Sequence, residues 1–165
     1  HSLVVKCNQA DITTKNGLWI IKPRANSADQ LNIEVYARVG GKDMLMGTHT
    51  YRVKNLPRPD AYFEINGVPT DEMRIPRAHL INPKNKIVAS YGADGLIQAK
   101  FDIVGFQVKL PTGASLLVKG DHFDEKTLAA IKKLKQGNTI NLMYIKAKGP
   151  DGKEIQLRGL PIELN

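Results

Sequence analysis

The sequence contains one cysteine, Cys7, so no intramolecular disulfide can form and packing alone must hold the chain together. Cys7 closes the strand-like run Leu3-Val4-Val5-Lys6-Cys7 and reads as a small buried side chain. Aromatic residues make up only 6%. A nucleic-acid surface wants basic residues interleaved with exposed aromatics, and that supply is thin here. Trp19, Phe101 and Phe106 fall in strand patterns and read as core, whereas Tyr51, Tyr62 and Tyr91 fit either role. No nucleic-acid partner is expected. No apolar run approaches the ~18 residues of a membrane helix. The opening residues lack a charged region followed by a long apolar one, so any export or anchor segment is expected upstream.

Reactive constellations are also lacking. There is no Gly-x-Gly-x-x-Gly and no Walker loop. The four histidines, His1, His49, His79 and His122, are isolated and give no zinc spacing. Asp121, His122, Asp124 and Glu125 could be drawn as a metal cluster, but an acidic first turn is what a helix N-terminus prefers. Neither Ser90 nor Ser115 sits in a nucleophile elbow. A carboxylate pair suited to glycoside hydrolysis would have to come from Glu64, Asp71, Glu72, Asp94 and Asp102, and spacing along the chain does not bring any two of them together. The sequence thus predicts no catalytic residue, no metal ligand and no cofactor.

What is present is an ordinary core-forming composition, 42% hydrophobic and 24% charged, over 165 residues. That suits one domain or two small ones. Strand signals dominate. Leu18 to Pro23 is a short apolar run closed by proline, and Leu31 to Ala37 alternates as a half-buried strand does. Gly40-Gly41 supplies a hairpin turn, and Thr50 to Leu56 alternates again. Pro57-Arg58-Pro59 then stops any ladder and stiffens the chain. The domain boundary is placed there: 1–56 and 57–165.

The second segment opens on Ala61 to Ile65 and turns at Asn66-Gly67. Lys86 to Ser90, Leu96 to Phe101 and Val104 to Leu110 read as strands. One helix is expected near 124–136, with Asp124 as N-cap, Phe123 and Leu128 spaced as a hydrophobic staple, and Gly137 at C′. Ile140 to Lys148, a Gly149-Pro150-Asp151-Gly152 turn and Lys153 to Arg158 form the clearest hairpin, followed by an alternating Leu160, Ile162, Leu164 strand. The fold class is therefore all-β: two immunoglobulin-like β-sandwich modules in series, the second with one short helix. About 55 residues precede the joint, and such a sandwich needs about 100, so the first module is expected to be incomplete.

The formal net charge is +8, which favours acidic partners or anionic surfaces. Lys132, Lys133 and Lys135 form one group and Lys146 and Lys148 another. They are candidate partner-binding residues, with an ordinary solvated face as the alternative.

Tyr51-Arg52-Val53-Lys54-Asn55-Leu56-Pro57-Arg58-Pro59-Asp60-Ala61 resembles the junction between the third and fourth periplasmic domains of the GldM/PorM family. The order downstream is similar too: Asp102 to Val108, a helix ending Leu134-Lys135-Gln136-Gly137, then Ile145 to Gly149 and Asp151-Gly152. The resemblance covers about Asn16 to the C-terminus. It departs at Phe63 to Gly67, where the family often has Gly-Gly, and at Asn138, where an acidic residue is usual. It implies an interdomain joint formed by Tyr51, Arg52, Val53, Lys54, Leu56, Pro57 and Pro59. It also implies a homodimeric periplasmic protein of the type IX secretion and gliding machinery, anchored in the inner membrane by an upstream segment. Its partners would be a GldL/PorL-type membrane protein, through the part upstream, and ring proteins of GldK/PorK and GldN/PorN type at the outer membrane. The resemblance implies force transmission between them, with no reaction of its own. A glycan- or polymer-binding β-sandwich is the rival, and a line of exposed aromatics on one sheet would favour it.

Overall fold

The computed structural model describes residues 2–25 and 27–165. The chain is mostly β, with 53% strand and 7% helix. It divides into two compact units, 1–57 and 58–165.

The first unit contains β1 (Ser2–Lys6), β2 (Ala10–Lys15), β3 (Leu18–Pro23), β4 (Gln30–Val39) and β5 (Lys42–Arg52). β1, β4 and β5 form an antiparallel sheet in that order, and β2 and β3 form a separate hairpin. Gly40 and Gly41 both take positive φ at the β4–β5 turn, as a tight hairpin requires. The run expected from Thr50 is the end of a longer strand that starts at Lys42, because a register shift between Val35 and Tyr36 absorbs an extra residue without ending the pairing. Pairing stops at Arg52. Ala10, Leu31 and Ile33 are the buried apolar residues described in this unit, while Leu18, Trp19, Met44 and Met46 are exposed. Trp19 is therefore not core. Cys7 lies beyond β1 and is only half-buried, since pairing with β4 ends at Lys6 and Glu34.

The second unit contains β6 (Asp60–Ile65), β7 (Val68–Thr70), β8 (Arg74–Ile75), α1 (Arg77–Leu80), β9 (Lys86–Ser90), β10 (Asp102–Lys109), β11 (Ser115–Lys119), α2 (Glu125–Lys132), β12 (Thr139–Lys148), β13 (Glu154–Gln156) and β14 (Leu160–Leu164). The larger sheet runs β11-β10-β12-β14-β8, with β13 also paired to β12; the smaller runs β7-β6-β9. The two sheets share one core. Phe63 from the small sheet stacks on Phe123 at 6.1 Å, and Phe106 from the large sheet meets Phe123 edge-on at 5.9 Å. Alternation in β12, broken once between Leu142 and Ile145, buries Ile140, Leu142, Ile145 and Ala147.

Three local expectations are corrected. Leu96 to Phe101 is not a strand: Leu96 is 99% exposed, and Phe101 alone makes an isolated bridge, to Ala89. The helix stops at Lys132 with Lys133 as its cap, so Gly137 is not C′. Its last turn is diverted, because the Leu134 N–H returns to Ile131 O, Asn138 Oδ1 takes the Lys135 N–H, and the Gly137 N–H donates to Leu164 O. A second helix, the single turn α1, follows Pro76, where the sequence showed only proline punctuation.

Candidate interaction surfaces

The residues expected at the joint fall at and beyond the end of β5. Tyr51 and Arg52 pair with Leu31 and Gln30 on β4, and the Val53 N–H extends this by donating to Asp29 O at 2.7 Å. Val53 to Pro59 belong to no strand or helix. Tyr51 and Leu56 are exposed.

The first unit is tied by surface charges. Asp43, near the start of β5, accepts from Arg38 Nε and Lys6 Nζ, each at 2.9 Å. Arg38, then Lys6, holds the Asp43 carboxyl down at about 2. The Lys6 ammonium also sits 4.6 Å from the centroid of the Tyr36 ring. Tyr36 donates to Glu34 at 2.7 Å, and that bond to a carboxylate raises the phenol above its ordinary value. These contacts join β1, β4 and β5.

The acidic segment before α2 is likewise structural. Asp124 caps the helix by accepting the Thr127 N–H at 2.8 Å. Asp121 contacts His122 at 2.6 Å and Lys86 at 3.6 Å. Among the described residues, no group of His, Cys, Asp or Glu is arranged to hold a metal ion.

The five candidate lysines are all exposed, but they do not share a face. Lys132, Lys133 and Lys135 lie at the end of α2, whose Ile131 is buried in the common core. Lys146 and Lys148 alternate with the buried Ile145 and Ala147, and so project from the side of the sheet away from that core. Lys119, which the sequence reading left aside, lies on this outer side too: Lys119 and Lys146 both pair with Gly105. Cross-strand register carries that information, and a one-dimensional charge run does not. Around Gly105 the sheet is concave, with a volume of about 510 Å³ walled by Val104, Leu117 and Tyr144.

The chain is thus a mostly β protein of two units, the second with exposed lysines on more than one face. The chain belongs to the GldM family: the profile described as the GldM C-terminal domain matches residues 57–165. No curated protein matches the chain. This domain is part of the gliding-motility and type IX secretion protein GldM, and the family is structural and not catalytic. The family is periplasmic. Among the described residues, no helix is long and apolar enough to cross a membrane.

Proposed function

We propose that the protein is a non-catalytic interaction module of the type IX secretion and gliding motor, carrying force from an inner-membrane motor to an outer-membrane-associated ring. The family match over 57–165, starting at the Pro57-Arg58-Pro59 segment, carries this reading. Two prolines two apart restrict φ in the connecting chain, which favours transmission of displacement over its loss in a loose linker. The working form would be an inner-membrane-anchored homodimer. It would meet a GldL/PorL-type protein on the membrane side and ring proteins of GldK/PorK and GldN/PorN type at the far end. The contact is assigned to the basic surface of the second unit, with Lys132, Lys133 and Lys135 on one face and Lys146 and Lys148 on another.

A glycan-binding sandwich would carry aromatics in a line on one sheet. The exposed aromatics described are Trp19 and Tyr51 in the first unit and Tyr144 in the second, which make no such line.

The test is capture of the chain by purified ring proteins at low and high salt, with a polyanion control. Selective, salt-sensitive capture is expected. Retention on the polyanion or on glycan with no capture by the ring would overturn the reading.

A further inference from the structure

The outer side of the large sheet has an irregularity that its pairing does not need. Between Ile103 and Gly105 the register slips by one residue on β10. Between Gly105 and Gln107 it slips back, with the extra residue on β12. The pairs Asp102–Lys148 and Lys109–Asn141, on either side, are in the same register. Two bulges thus cancel, and neither re-aims the rest of the sheet. Their effect is confined to the few residues around Gly105. Bulges of this kind re-aim individual side chains and are common beside functional sites.

The second bulge places Tyr144 at φ 51°. That left-handed conformation is ordinarily left to glycine at such a position, and for a bulky residue it costs about 1 kcal/mol or more. The tyrosine is not held there by burial, since it is 56% exposed. It stands beside Val104 and Leu117, which is 76% exposed, over the floor made by Gly105. The floor must be glycine, because a Cβ there would lie 2.8 Å from the Val118 carbonyl oxygen.

Lys119 and Lys146 flank that floor from the two neighbouring strands. With strands about 4.8 Å apart, their Cα atoms are roughly 10 Å apart, close enough for both ammonium groups to converge on one anionic group. Neither lysine forms an ion pair among the described residues. The notch therefore presents an apolar wall, one strained aromatic and two uncommitted cations.

We infer that this notch is a docking site for a peptide segment of a partner protein that places a bulky apolar side chain against Tyr144, Leu117 and Val104 and a carboxylate between Lys119 and Lys146. Charge complementarity selects the carboxylate. The exposed apolar side chains, which would gain by leaving water, select the apolar neighbour. A single tyrosine is too little for a sugar chain or for stacked bases. Asp102 and Glu154, exposed on the same sheet, disfavour a continuous polyanion. The inference rests on the interaction reading above and makes it specific to one face.

The test is an NMR titration of the 165-residue chain with the peptide Asp-Glu-Leu-Phe-Glu-Asp and with its all-amide counterpart. Shifts are expected to centre on Gly105, Leu117, Lys119, Tyr144 and Lys146. The all-amide peptide, and the acidic peptide with the K119E/K146E double variant, should each bind at least about tenfold more weakly. Tyr144→Asn should also weaken binding while leaving the spectrum folded. Shifts centred on the α2 lysines, or undiminished binding by K119E/K146E, would overturn the inference. So would polyphosphate occupying the notch as tightly as the acidic peptide. Ring capture without notch shifts removes this inference and leaves the interaction reading standing. Notch shifts without ring capture do the reverse.

Discussion

Lys119 and Lys146 lie across the same residue, Gly105, one on each neighbouring strand, so that two lysines far apart in sequence flank a floor without a side chain. The arrangement depends on glycine at that floor. Gly105→Ala would set a methyl group 2.8 Å from the Val118 carbonyl oxygen, a backbone atom that cannot swing away. The expected cost is about 1–3 kcal/mol, of the size seen when a packed site is overfilled. Urea unfolding should show a lower midpoint with little change in slope.

Tyr144 gives different predictions for two substitutions at the same exposed position. At φ 51° Asn is tolerated and a β-branched residue is not. Tyr144→Asn should therefore leave stability within about 0.5 kcal/mol of the parent, as for an ordinary surface change. Tyr144→Val should lose about 1–2 kcal/mol, measured by the same urea titrations. Equal stability of the two variants would contradict the left-handed assignment.

The Asp43 carboxyl predicts an acid-sensitive first unit. Its folded value is about 2, against an unfolded value of about 3.9. A depressed carboxyl stabilises the folded state above its unfolded pKa, and this is lost as pH falls through the folded pKa. The first unit should therefore weaken as pH falls from about 4 to about 2. Trp19, the one tryptophan, lies in this unit and reports its unfolding by fluorescence. Asp43→Asn should be less stable at pH 6 and should show a shallower decline over that interval.

The Asp124 cap tests the local reading of α2. Asp124→Ala removes the acceptor of the Thr127 N–H and should cost about 1 kcal/mol, with thermal unfolding as the readout. Restoration by Asp124→Ser is expected, because Ser caps comparably.

Much of this architecture was legible in the sequence where the signal was local. The Gly40-Gly41 and Asn66-Gly67 turns, the Gly149 to Gly152 turn and the Asp124 cap all follow from short-range chemistry. Failures came where tertiary contacts decided. Leu96 to Phe101 has the composition of a strand, yet it pairs only at Phe101. Leu164 takes the Gly137 N–H, and no window around the helix could anticipate that. At the surface, clustering in sequence grouped Lys146 with Lys148 and passed over Lys119, whose position beside Lys146 arises from β10 lying between their strands. The bulge at Tyr144 had no sequence signature, because glycine is the residue that would have announced it.

The most direct test of the central claim, contact with the ring through the basic surface of the second unit, is site-specific photo-crosslinking. A photoreactive phenylalanine is placed at Tyr144 in one sample and at Lys133 in another, and each is irradiated with the purified ring proteins. A crosslink to a ring protein from position 144, stronger than any from 133 and diminished by K119E/K146E, is the predicted result. No crosslink from either position would contradict it, whereas a crosslink from 133 with none from 144 would remove the notch and leave the ring contact with the α2 lysines.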